Sequence, residues 1–343
     1  MLIDYQELAT DLDRADSAAR DAEAAGYDGF WTAETKHNPF LPLVLAAEHT
    51  EHVYLGTGIA VAFARNPMTV AHVAWDLQAY SEGRFILGLG SQVKPHIRLR
   101  FSMEWSHPAA RMRDFISALH AIWDAWEEGT PLRYRGEFYT HALMTPFFDP
   151  GPNPHGRAKV FVAAVGTKMI EVAGAVGDGL LGHPLTTEAY VREVVVPTFS
   201  RALDTAQRPR SDFQLSQPVF VVTGSDDREL AAAAAEVRQQ IAFYASTPSY
   251  RGVLEHHGWG EIQPQLNDLA RSGEWAAMGD LIDDEKLETF AVVGPPEAIG
   301  PAIRRRFDGV ADRISFYPPE GGYDPETMGA IIEGTRGQAS SQP

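Results

Sequence analysis

The chain has 343 residues, of which 44% are hydrophobic, 22% charged and 10% aromatic, a composition that supplies a large core and excludes a disordered or collagen-like chain. Lys and Arg number 29 against 46 Asp and Glu, for a net charge of −17, so the long-range field repels phosphate backbones and anionic bilayers, and neither nucleic acid nor membrane is expected as a partner. With no cysteine there is no disulfide, thiolate nucleophile or Cys-ligated metal. No apolar run approaches the ~18 residues of a membrane span, and Asp4, Glu7, Asp11 and Asp13 stand where a signal segment would be basic and then apolar. The expectation is a cytoplasmic chain without leader or anchor.

In chain order, residues 2–5 read as an opening strand and 11–25 as an Ala-rich helix with Gly26 just past its end. A strand at 29–32, a helix at 39–50, a strand at 53–60 and a helix with Pro67 in its first turn follow, then a strand at 85–88. Residues 93–158 hold one amphipathic helix, 109–128, and read as an insertion. The rhythm resumes with strand 160–164, helix 168–176, strand 179–181, helix 188–206, strand 213–222 and helix 228–244. A second insertion spans 247–288, and strand 290–293, helix 297–307 and strand 313–317 close the pattern. Evenly spaced strands favour an α/β fold with a single (β/α)8 TIM barrel over residues 1–317, with insertions after strands 4 and 7, rather than an open sheet. Residues 318–343, rich in Pro, Gly, Ser and Gln, read as a peripheral or disordered tail.

In such a barrel the chemistry sits at the carboxyl ends of the strands. After strand two, Glu34 and His37 could act as acid and base or share a bound water, or be a capping Glu and a loop His. After strand three, Gly58 and Ile59 would suit a flat ligand pressed on the backbone, although a barrel-interior glycine explains the same residues. After strand four, Gly88 and Gly90 begin a dinucleotide pattern that fails at Val93, which leaves Ser91, Gln92, Lys94, His96, Arg98 and Arg100 as a basic cluster suited to an anion. After strand five, Gly166, Thr167 as candidate N-cap and Lys168 open a helix and suit a phosphate. His183, after strand six, is a plausible substrate contact. His49 and His52 lack a partner carboxylate at metal-ligand spacing, His256 and His257 have no readable role, and no metal site is expected.

Four separated segments, Ala33-Glu-Thr-Lys-His, Leu55-Gly-Thr-Gly-Ile-Ala-Val, Leu87-Gly-Leu-Gly-Ser-Gln-Val-Lys-Pro-His-Ile and Val162-Ala-Ala-Val-Gly-Thr-Lys-Met, resemble the luciferase-like monooxygenase superfamily, and most closely its F420-dependent oxidoreductase branch. The resemblance runs from Asp4 to about Tyr317 and implies a bacterial luciferase-like barrel that holds the deazaflavin coenzyme F420 or, alternatively, FMN. It implies a non-prolyl cis peptide at Gly58–Ile59 that props the ring, with Val61 in the same motif. Glu34, Ser91 and His96 become cofactor contacts, and Ala164, Val165, Gly166, Thr167, Lys168 and Met169 the phosphate-binding segment. Two departures stand out: Thr35 occupies the place of a family histidine and Val93 that of a family glutamate, which argues against sugar-phosphate oxidation.

The implied reaction is hydride transfer from deazaflavin C5 to a small, hydrophobic or planar substrate, with His37, His96 and Glu34 as the catalytic set and His37 or His96 supplying the proton. The alternatives are an FMN monooxygenase that uses O2 and a separate flavin reductase, or a flavin-binding protein without turnover. The resemblance also implies a homodimer.

Overall fold

The computed structural model describes residues 1–8, 11–317, 319 and 322–337. The described strands are β1 (Leu2–Glu7), β2 (Gly29–Thr32), β3 (Tyr54–Thr57), β4 (Ala60–Val61), β5 (Phe85–Gly90), β6 (Tyr134–Arg135), β7 (Thr140–His141), β8 (Lys159–Ala163), β9 (Gly179–Leu181), β10 (Gln214–Val222), β11 (Ala291–Val293) and β12 (Arg313–Tyr317). Eight of them form a closed parallel ring in the order β12, β1, β2, β3, β5, β8, β9, β10, because β10 pairs with both β9 and β12. The expected (β/α)8 barrel is therefore the fold. Helices Ala15–Ala24, Leu41–His49, Pro67–Tyr80, Pro108–Glu128, Thr167–Val176, Val196–Thr205 and Pro296–Phe307 connect successive staves, and Pro325–Arg336 follows the last.

Every residue of β2 and β5 is buried, as expected of parallel strands covered on both faces. Side chains alternate between the lumen and the helix ring. Trp31, Ile86, Phe161 and Leu181 fill the lumen, with Ile59 and Ala163 packed against them. Gly56 lets the Trp31 ring lie over β3, since a Cβ there would overlap it. At the seam between the first and last staves, the Arg313 guanidinium donates to both Asp4 oxygens at 2.7 and 2.6 Å, each side chain only 1% exposed.

Two expectations need correction. Residues 290–293 are not a barrel stave: β11 pairs only with Phe220–Val222 at the upper end of β10, while β12 closes the ring on β1. Helix Pro108–Glu128, assigned from sequence to the insertion, packs between Pro67–Tyr80 and Thr167–Val176 and is the ring helix of its own βα unit. Asp114 on that helix fastens the β6–β7 hairpin, accepting from the Tyr134 hydroxyl and from the amides of Phe138 at 2.6 Å and Tyr139 at 3.0 Å.

The tail, read as peripheral or disordered, contains a helix on the outside of the ring. Residues 325–336 form a helix docked on Pro296–Phe307, with Ile331 and Ile332 buried. Asp324 caps it by accepting from the Glu326 and Thr327 amides, both at 3.0 Å, and Arg336 ties it to Asp28 at 3.1 Å. Its short apolar stripe is masked in the sequence by the Pro and Gly around it. Residues 338–343, also assigned to the tail, lie outside the described residues. No described helix is long and apolar enough to cross a membrane.

Candidate active site

The register across β3, β4 and β5 contains an interruption. Gly56 pairs with Ile86 and Ala60 with Leu89, so four steps along one strand match three along the other, which is the signature of a β-bulge. The extra residue lies at Gly58–Ile59, whose peptide bond is cis, as the resemblance implied. Both residues are half-buried while their neighbours Thr57 and Ala60 are buried, so the bulge forms a partly accessible shelf at the carboxyl end of the barrel.

Glu34 fixes this shelf from behind. Its amide donates to the Ile59 carbonyl at 3.1 Å, and its carboxylate accepts from the Val61 amide at 2.7 Å and from Arg65 Nη1 at 2.6 Å. The pair is nearly sealed, with Arg65 17% and Glu34 7% exposed. The carboxylate is thus occupied in holding the bulge. His37 lies elsewhere: its Nε2 meets Asp11 Oδ1 at 2.9 Å, with the ring 49% exposed. The two share no hydrogen bond, so the structure does not assemble the acid–base pair that their spacing suggested.

Beyond β5, Ser91 donates to the Gln92 carbonyl at 3.1 Å, and His96 opens the exposed turn His96–Arg100 without a side-chain partner among the described residues. The basic cluster is divided: Arg100 donates to the Thr35 carbonyl at 2.6 Å and lies over the Phe101 ring, whereas Lys94 and Arg98 face solvent. At the end of β8, Gly166 rather than Thr167 is the N-cap of helix Thr167–Val176, and no side chain caps it. The amides of Gly166, Thr167 and Lys168 find no acceptor among the described residues. A Cβ on Gly166 would meet nothing within 4 Å, and Gly166, Thr167 and Lys168 are all exposed. Ala164 donates to the Leu181 carbonyl at 3.1 Å, and the Val165 carbonyl receives the Tyr190 hydroxyl at 3.4 Å. Met169 is part-buried in the first turn.

An aromatic group gathers at the carboxyl ends of β9, β10 and β12, joined by Tyr244 of helix Asp227–Ala245 and by Tyr250. His183 lies 4.5 Å from the rings of both Tyr244 and Tyr250, Tyr317 packs on Phe220 at 5.4 Å, and the hydroxyls of Tyr244 and Tyr317 are 2.5 Å apart. Burial pushes the His183 imidazole down to about 3, and its Nδ1 accepts from the Leu185 amide at 3.1 Å. The ring is therefore neutral, with its proton on Nε2. Strand-end position would have singled out Tyr317, the last residue of β12, but nothing in the sequence marks Tyr244, Tyr250 or Arg65. His256 and His257 are staples of the second insertion, held by Glu193 at 3.3 Å and Thr187 at 2.7 Å.

His120 is also driven down to about 3, first by burial and then by the charges of Arg157 and Arg208. Two histidines neutral in the folded chain take up protons near the ordinary 6.5 once unfolded. Stability is thus complete above that value and falls as pH drops toward 3. His120→Leu should reduce the slope of unfolding free energy against pH by about 1.4 kcal/mol per pH unit in the acid window, as read by urea titrations at several pH values. An unchanged slope would show that His120 is protonated in the folded protein.

A family model for luciferase-like monooxygenases matches residues 3–313. The chain belongs to this luciferase-like monooxygenase family. An uncharacterized protein of Mycobacterium tuberculosis is 58% identical over 307 residues, 90% of each chain. The 5,10-methylenetetrahydromethanopterin reductase of Archaeoglobus fulgidus is 26% identical over 285 residues, 81% of each chain. In fold, the coenzyme F420 dependent tetrahydromethanopterin reductase from Methanopyrus kandleri superposes with a TM-score of 0.78 at 19% identity, covering 97% of both chains. The luciferase-like barrel is thus that of a redox enzyme, an oxidoreductase or monooxygenase.

Proposed function

We propose that the protein is an F420-dependent oxidoreductase that reduces a small, hydrophobic or planar, electron-poor organic substrate. The observation that carries this reading is the half-buried Gly58–Ile59 shelf, braced by Glu34 and Arg65, with amides of 166–168 that have no acceptor among the described residues two staves away. At ~4.8 Å per strand that separation is roughly 10 Å, the reach of a ring joined to its phosphate by a short polyol. The donors suit the coenzyme: flat backbone for the ring, and free amides with Lys168 for a phosphate. Lys94 and Arg98 add positive charge for an acidic tail.

F420, when bound, supplies a hydride at C5 of its deazaflavin. The residues of this chain would hold it in place: Ile59 supports the ring, Ser91 and His96 border it, and residues 164–169 hold the phosphate. The lumen side chains Trp31, Phe161 and Leu181 keep water out from below. The Methanopyrus structure, named as a coenzyme F420 dependent reductase, supports F420 over FMN.

Titration of the purified protein with F420 and with FMN tests this. F420 binding is expected to be the tighter, and binding of FMN alone would overturn the reading in favour of a two-component monooxygenase. Lys168→Ala should weaken F420 affinity by about 1–2 kcal/mol without lowering the melting temperature. Equal affinity in the variant would remove Lys168 from the phosphate site.

A further inference from the structure

We propose that the hydrogen-bonded phenols Tyr244 and Tyr317 are the proton donor of this site, delivering a proton to the carbonyl-type oxygen of a substrate held between the Gly58–Ile59 shelf and their side of the mouth. The proposal rests on the F420 reading above. Its first support is position. In the closed ring β10 lies four staves from β3, diametrically across the barrel. Tyr317 ends β12 beside it, in register with Phe220. Alternation places Tyr317 on the same face as Arg313, whose guanidinium meets Asp4 and Trp31 in the lumen. A ligand lying on the shelf therefore faces Tyr317 across the opening.

The second support is a count of protons. Two phenols 2.5 Å apart share one O–H between them. The hydroxyl that accepts keeps its own proton, for which the described residues offer no acceptor, so one donor of the pair remains available to a ligand. Burial and the neighbouring Tyr244 and Tyr250 raise the Tyr317 phenol far above its ordinary value, so it is protonated at neutral pH. His183 packs on Tyr244 and acts as a positioning residue, because it is itself neutral. Of the groups first considered as acids, Glu34 is bound to Val61 and Arg65, and His37 to Asp11.

The step balances. The substrate carbon gains the hydride, two electrons and one proton, from the reduced deazaflavin as its carbon–oxygen π bond breaks. The π pair moves to oxygen, which takes the phenolic proton. The phenolate left behind accepts the O–H of its partner tyrosine until solvent returns a proton.

Tyr244→Phe, Tyr317→Phe and the double variant, each loaded with oxidised F420, test the proposal with pentafluorophenolate as an oxyanion probe followed by fluorine NMR. Removing both hydroxyls together leaves no orphaned partner, so the double variant should fold normally. The wild type is expected to bind the probe, the single variants to retain part of that affinity through the remaining hydroxyl, and the double variant to lose about tenfold or more, the worth of a hydrogen bond to a charged group. F420 affinity, read separately by deazaflavin fluorescence, should not change. Probe binding absent in the wild type, or undiminished in the double variant, overturns the proposal, and its loss in His96→Gln alone would assign the proton to His96. Failure of every form, wild type included, to bind F420 would instead overturn the F420 reading.

Discussion

Asp4→Asn is expected to cost about 3–5 kcal/mol of unfolding free energy, the range for breaking a buried ion pair from one side. The change scarcely alters shape, but it leaves the Arg313 guanidinium, 1% exposed, without a counter-charge. Its neighbours also include ring faces, Trp31 at 5.7 Å and Tyr54 at 4.9 Å, which attract a cation but do not replace a carboxylate. The pair also joins the first stave to the last across 309 residues of chain, so its loss weakens the closure of the ring. Arg313→Met alone should cost a comparable amount. The double variant should cost much less than the sum, because no unpaired charge remains. Urea midpoints at constant m-value measure all three, and strict additivity would show that the two side chains do not act as a pair.

Gly88→Ala should be the most damaging single methyl group near the site. A Cβ at Gly88 would overlap the Thr57 carbonyl oxygen and approach Leu181 Cδ1 at 2.8 Å. Thr57 cannot yield, because its hydroxyl donates to the Gly88 carbonyl at 2.7 Å and accepts from the Gly88 amide at 2.9 Å. Relief therefore requires separating β3 from β5, and Thr57 is the residue before the shelf. The expected result is a loss of about 1–3 kcal/mol in stability, typical of overpacking, together with loss of F420 binding. Gly166→Ala is the contrasting case. Its φ of −77° suits any residue, and its Cβ would enter open space, so stability should hold while the added methyl group obstructs the approach of a phosphate to the amides. Equal melting temperatures for the two variants would show that β3 and β5 can part without cost.

Much of the site was legible because barrel chemistry lies at strand ends and strand ends can be read locally. The runs 29–32 and 85–88 are apolar apart from Thr32 and begin directly after a charged residue, Asp28 and Arg84, and they become β2 and most of β5. Gly58, Ile59 and Gly166 stand where a strand or helix terminus presents backbone, and the structure leaves Gly166 exposed and Gly58 and Ile59 half-buried. What could not be read was the partner of each side chain. Glu34 and His37 are three residues apart in sequence, yet one turns to Arg65 and the other to Asp11. Tyr244 lies in a helix with no local signal of function, and it meets Tyr317 from 73 residues away in the chain.

The repeating strand–helix order and the glycines at the mouth follow from local sequence, since hydrophobic period and backbone freedom are properties of short segments. The sequence also determined the absence of thiol chemistry. Only the tertiary structure decided that Arg313 and Asp4 seal the ring, that the last twelve described helical residues dock rather than trail, and that Glu34 braces the shelf. Those outcomes depend on which charges and donors meet across the barrel, and a pairing of groups far apart in the chain leaves no periodic trace in either partner.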